Sequence, residues 1–110
     1  MDFNTYVEQA GRTAKMSEDL IFNLNHAALG IAGEAGEFVD SVKKSMIYNR
    51  PVDTVNLQEE LGDLLWYIAL AARSLNVSLA QIAVDNISKL QKRYPEKYTD
   101  ELAAARLDKQ

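Results

Sequence analysis

Residues Gly30–Asp40 read GIAGEAGEFVD, and how this stretch is read decides the fold. Its apolar spacing is helical, yet it holds Gly30, Gly33 and Gly36, each of which costs roughly 1 kcal/mol relative to alanine inside a helix. A helix that accepts all three has a use for bare backbone, where another helix, a metal with its waters or a ligand can come close. Glu34 and Glu37 lie between these glycines, three residues apart and therefore neighbours on one helix face.

Working outward, apolar residues recur at Leu20, Leu24, Ala27, Ile31, Ala35, Phe38 and Val42 in alternating steps of four and three. The spacing predicts one long helix with a single buried stripe, capped at its start by Ser17. Asn49, Arg50 and Pro51 interrupt it. After Asp53 or Thr54 as cap the pattern resumes at Leu57, Leu61, Leu64, Ile68, Ala72 and Leu75, a second long helix ended by Asn76. The link is too short to cross a bundle end, so the two helices are expected side by side and antiparallel. Ser78 caps a third helix through Leu79, Ile82, Ala83, Ile87 and Leu90, which stops at Tyr94 and Pro95. A short opening helix, with Phe3, Tyr6, Val7 and Ala10 as its apolar side, precedes Gly11, and the tail after Thr99 is read as one further helix. No period-two alternation is sustained, so the class is all-α, a bundle of long antiparallel amphipathic helices.

The second long helix repeats the acidic motif of the first. Glu34-Ala-Gly-Glu37 is matched by Glu60-Leu-Gly-Asp63, and in both the first acid directly precedes a stripe residue, Ala35 or Leu61. Both pairs therefore sit at the edge of the seam, where antiparallel packing brings four carboxylates into one small volume. So much negative charge in a medium of lowered dielectric calls for a cation. Oxygen ligands with no cysteine and no nearby histidine suit magnesium, with manganese as second choice. Taken alone, either acidic pair reads as a solvated helix face; the repeat, each copy with a glycine embedded, points to a metal site. Glu59 lies farther from the seam.

A single domain spanning residues 1–110, with its motif-bearing core at about 20–98, suits a chain of 110 residues. Hydrophobic and charged shares of 47% and 25% are those of a globular protein, and no run approaches the roughly 18 apolar residues of a membrane span. A signal-peptide pattern and cysteines are both lacking, so the cytoplasm is the expected location. A net charge of −4 argues against a nucleic-acid partner, which would need surplus Lys and Arg to neutralise phosphates. A small anionic ligand bridged by a metal is compatible with it.

On the third helix Asn86, Lys89 and Arg93 form a line ending at Tyr94. As helix-end charges they complement the dipole; beside a carboxylate–metal site they have the chemistry a polyphosphate tail needs. Tyr67, four residues after Asp63, is placed to meet a sugar or base and equally to be a core aromatic. His26, with Asn25 beside it, lies three turns before Glu37 on nearly the same line and reads either as a ligand contact or as a structural histidine.

These motifs together resemble the MazG-like nucleoside triphosphate pyrophosphohydrolases of the all-α NTP pyrophosphatase superfamily, which includes dimeric dUTPases and dCTP pyrophosphatases. The family pattern EExxE, spacer, ExxD is matched by GEAGE at Gly33–Glu37 and ELGD at Glu60–Asp63, with Gly33 where the family has a leading glutamate. Its N-x-x-K-x-x-x-R-Y-P run is matched by Asn86, Lys89, Arg93, Tyr94 and Pro95. The resemblance implies magnesium-dependent hydrolysis of an NTP or dNTP between the α- and β-phosphates, with Glu34, Glu37, Glu60 and Asp63 as metal ligands and catalytic residues. It implies substrate contacts from Lys89, Arg93 and Asn86, to which Tyr67 and His26 are added as candidates by their placement alone, and a bundle completed by assembly into homodimers or homotetramers. A phosphoribosyl-ATP pyrophosphohydrolase of the same superfamily and a non-enzymatic helical assembly protein are the rival readings. A di-iron bundle is disfavoured because Glu-x-x-His is missing.

Overall fold

The computed structural model describes residues 1–106 and 108, and those residues form helices with no strand. In chain order they are α1 (Phe3–Gly11), α2 (Leu20–Tyr48), α3 (Thr54–Ser74), α4 (Leu79–Arg93) and α5 (Asp100–Ala105). Each begins at a side-chain cap that satisfies an otherwise orphaned backbone N–H. Asp2 accepts from Thr5 N, Asp53 from Asn56 N, Ser78 from Gln81 N and Thr99 from Leu102 N.

The cap of α2 differs from expectation. Asp19, not Ser17, accepts the first helical N–H, from Ile21. Ser17 instead joins a small network in which its N–H donates to Asn23 Oδ1 at 2.9 Å while Asn23 Nδ2 donates to Ser17 O at 2.8 Å. These two bonds satisfy the amide of Asn23, the buried polar residue of α2. At its other end α2 stops at Asn49, which takes the left-handed conformation (φ 50°).

Helices α2 and α3 form an antiparallel hairpin. Contacts across it run in opposite order along the two helices: Asn56 Nδ2 donates to Ser41 Oγ at 3.2 Å near the turn, and the Tyr67 ring meets His26 and Gly30 toward the far end. Helix α1 packs on α3 and α4. Its Asn4 Oδ1 accepts from Ser78 Oγ (3.1 Å) and Ala80 N (3.2 Å), so a side chain of α1 joins in capping α4. The chain turns by 103° between α3 and α4, which carries α4 away from the hairpin to lie with α1 and α5.

The buried apolar core is small: Ala27 of α2, Ala69, Leu70 and Ala72 of α3, and Leu79 of α4. The predicted stripes are therefore only partly covered. Ile31, Ala35 and Phe38 are half-buried, but Leu20 and Val42 at the ends of the first stripe are exposed, as are Leu61 and Leu75 of the second and Ile82 and Ile87 of the third. The reason is geometric, since α2 packs chiefly on α3 alone and α4 meets only the short helices α1 and α5, so one side of each long helix is left uncovered. A radius of gyration of 17.1 Å compares with about 13 Å for a compact domain of this length. The surface of 8120 Å² is about 2,000 Å² more than a compact monomer of 12.3 kDa exposes. No single helix among the described residues is long and apolar enough to cross a membrane.

Candidate metal and nucleotide site

Because α2 and α3 run antiparallel, the two acidic motifs meet. Carboxylate oxygens of Glu34, Glu37 and Glu60 lie within 4.8 Å of one another, close enough to share one hard cation directly or through its waters. Glu34 and Glu60 are half-buried and Glu37 faces solvent. Asp63, one turn beyond Glu60, stands outside this group of three but close enough for its charge to act on Glu34. Four acids expected at one place thus become three in contact and one at the rim.

Burial and the neighbouring carboxylates raise two of these acids. Glu60 is pushed up to about 7, first by burial and then by the carboxylates of Glu37 and Glu34. Glu34 is raised as well, again chiefly by burial, with Glu37 and Asp63 adding to it. Glu34 Oε2 and Glu60 Oε2 are buried and accept no hydrogen bond among the described residues. Buried carboxylate oxygens without donors are costly unless something positive meets them. The donor set fits a divalent cation that prefers oxygen.

Other expected residues are distributed along the same seam. Tyr67, one turn beyond Asp63, and His26, two turns before Glu34, are both half-buried and stack edge to face with ring centroids 6.0 Å apart. The bare backbone of Gly30 is what admits the Tyr67 ring, which occupies the space a Cβ there would fill. For the remaining motif glycines the expectation is revised: nothing lies within 4 Å of a Cβ built at Gly33, Gly36 or Gly62, so within one chain no group uses their close approach. Glu59 and Asn25 are exposed.

The basic line on α4 is not brought to the carboxylates within one chain. Asn86 and Lys89 are exposed, and among the described residues neither Lys89 nor Arg93 pairs with any of the four acids. Arg93 donates through Nε and Nη2 to the two oxygens of Asp108, at 2.8 and 3.0 Å. That pairing holds the Asp108 carboxyl well below the usual carboxylate range and raises the guanidinium further.

Two features of the site were not read from the sequence. Helix α1 places Tyr6 beside Asp63, and burial followed by that charge raises its phenol. On the turn side, Lys44, Arg50 and Asn56 line a cleft with Glu37 and Glu60. The signal was there for Lys44, which stands seven residues after Glu37 and so on the same helix face.

Residues 22–98 match the MazG nucleotide pyrophosphohydrolase domain, and the chain belongs to that family. It is also similar to the Gene 37 protein of Mycobacterium phage L5, with 40% identity over 79 residues that cover 68% of this chain and 69% of that protein. No solved structure matches it. The all-α architecture accords with this nucleotide pyrophosphohydrolase domain family.

Proposed function

We propose that the protein is a magnesium-dependent pyrophosphohydrolase that cleaves an NTP or dNTP between the α- and β-phosphates, releasing a nucleoside monophosphate and pyrophosphate. The observation that carries this reading is the meeting of Glu34, Glu37 and Glu60 across the α2–α3 seam, with buried oxygens that no donor among the described residues satisfies. With Asp63 they form the ligand set for magnesium, or for manganese in its place. The ion supplies Lewis acidity to the phosphate oxygens and to the attacking water. Glu59 or one of the cluster's own glutamates accepts the proton that water gives up. Tyr67 and His26 contact the nucleoside, and positioning by the chain does most of the remaining work, since phosphoryl transfer asks for little covalent chemistry.

The working form in this reading is a homodimer or homotetramer in the cytoplasm. Support comes from the excess surface and from an outward face of α2 on which Leu29, Val39 and Met46 are 73%, 62% and 75% exposed. About 2,000 Å² per chain is the scale of an obligate interface. A second copy also offers the way for Asn86, Lys89 and Arg93 to reach the phosphates, Arg93 exchanging its Asp108 partner for substrate.

The test is a screen of the common NTPs and dNTPs with magnesium, reading out monophosphate and pyrophosphate. Glu34→Gln and Asp63→Asn serve as controls, expected to lose metal affinity by calorimetry while keeping wild-type helix content. Absence of turnover on every nucleotide, or unchanged metal affinity in both variants, would overturn the reading.

A further inference from the structure

The α2–α3 seam has two unlike ends on either side of the carboxylates. Toward the start of α2 it is aromatic, with His26 and Tyr67 in edge-to-face contact and Trp66 against Tyr67 at 5.0 Å. Toward the turn it opens into a polar cleft of about 600 Å³, a volume within the range of small-molecule sites. Glu37 and Glu60 form the inner end of this cleft, Lys44 and Arg50 stand toward its outer end, and the Asn56–Ser41 hydrogen bond ties the two helices across it.

The geometry points to this cleft as the subsite for the terminal phosphates, so that the leaving pyrophosphate lies along α2 from Glu37 toward Lys44 and Arg50. The assignment rests on the hydrolase reading above and gives the substrate a direction in the seam. From Glu37 to Lys44 is about 10 Å along the helix axis, a span that condensed phosphate and a flexible lysine can bridge.

The charges in the cleft sort themselves accordingly. Asp53 directs its carboxylate to Asn56 N at 3.1 Å as the α3 cap, so it is turned toward its own helix. Asp40 pairs with Lys44 at 3.0 Å, but both side chains are more than half exposed. An ion pair so exposed holds its partners weakly, and a phosphate can take the ammonium from it. Arg50 lies over the Tyr48 ring at 5.4 Å and, among the described residues, pairs with no carboxylate. Its planar fork is suited to phosphate oxygens. Metal-bearing acids at one end and cations at the other match a chain of phosphates whose inner part meets the metal and whose outer part needs direct neutralisation.

The experiment is calorimetric binding of pyrophosphate in excess magnesium to the full chain, comparing wild type with Lys44→Ala, Arg50→Ala and Arg50→Lys. Each alanine variant is expected to weaken pyrophosphate binding about tenfold or more, with Arg50→Lys in between, while manganese affinity and melting temperature stay at wild-type values. In turnover, KM for the triphosphate rises while a nucleoside monophosphate inhibits as before. Pyrophosphate affinity unchanged in both alanine variants overturns the subsite, as does an Arg50→Ala effect confined to melting temperature, which would make Arg50 a complement to the α2 dipole. Failure of the wild type to hydrolyse any nucleotide overturns the hydrolase reading instead, and the pyrophosphate arm still decides the cleft.

Discussion

Gly30→Ala is the substitution whose sign is most sharply set by the structure. In an open helix position the change would stabilise the fold by about 0.8–1.0 kcal/mol through helix propensity. At Gly30 the new methyl group falls on Cγ, Cδ1 and Cε1 of Tyr67, so the whole ring must move and not merely its tip. That ring is confined by His26 on one side and Trp66 on the other. Overpacking of this kind typically costs about 1–3 kcal/mol. The net expectation is a loss of up to about 2 kcal/mol, or about 8 °C in melting temperature for a chain of this length. Gly33→Ala is the matched control, since nothing lies within 4 Å of its added Cβ; it should raise the melting temperature by about 4 °C. Both would be melted without nucleotide at one fixed protein concentration, because self-association shifts the midpoint. In a Tyr67→Ala background the Gly30→Ala effect should reverse and become stabilising. A Gly30→Ala protein stabilised as much as the Gly33→Ala control, or no reversal in that background, would refute the argument that this glycine exists to seat the ring.

The raised carboxyl of Glu60 gives a pH dependence. Between the ordinary glutamate value of 4.5 and about 7 the folded chain holds a proton that the unfolded chain has lost, so metal-free stability should fall as pH rises through that window and level off above it. Manganese affinity should move the other way, gaining up to about tenfold per pH unit below 7 because the proton must leave first; calorimetry showing no pH dependence there would refute it. Light scattering at micromolar concentration should give a multiple of 12.3 kDa, with Val39→Asp shifting the mass toward the monomer; a monomeric wild type would count against the proposed assembly. Lys89→Ala should lower kcat/KM by about tenfold to more than a hundredfold with metal affinity unchanged, and wild-type kinetics would return Lys89 to the role of a helix-end charge.

Much of this architecture was legible because helix periodicity and capping chemistry are local. The bounds of α2, α3 and α4 follow from the apolar stripes and from Asp53, Ser78, Asn76 and Tyr94, and the meeting of Glu34 and Glu37 with Glu60 follows from a short link that allows only an antiparallel neighbour. The α2 cap was misplaced because Ser17 and Asp19 are both good cap residues, and the choice was settled by Asn23, whose burial draws Ser17 into its own network. Coverage of the stripes was not legible, since spacing gives the apolar face of a helix but not how many neighbours cover it; Leu61 and Ile87 have the period of core residues and are 51% and 54% exposed. Nor could the path of α4 be read, because the turn at Leu75–Val77 fixes an angle that no periodicity encodes. The Asp108 partner of Arg93 and the Tyr6 neighbour of Asp63 come from long-range packing, for which a single sequence carries no signal.

The hydrogen bonds from Ser78 and Ala80 to Asn4 bear on the order in which the molecule assembles. The α2–α3 hairpin joins helices adjacent in the chain and needs only a short loop to close, so it is expected to form early. Asn4 and Ala80 are separated by 76 residues, and their contact closes only when most of the chain has been made and the hairpin is in place. Helix α1 precedes the hairpin in the chain yet docks on α4 after it, and until it does the start of α4 lacks one of its two side-chain caps. A change in α1 would therefore act on the start of a helix more than seventy residues away in sequence.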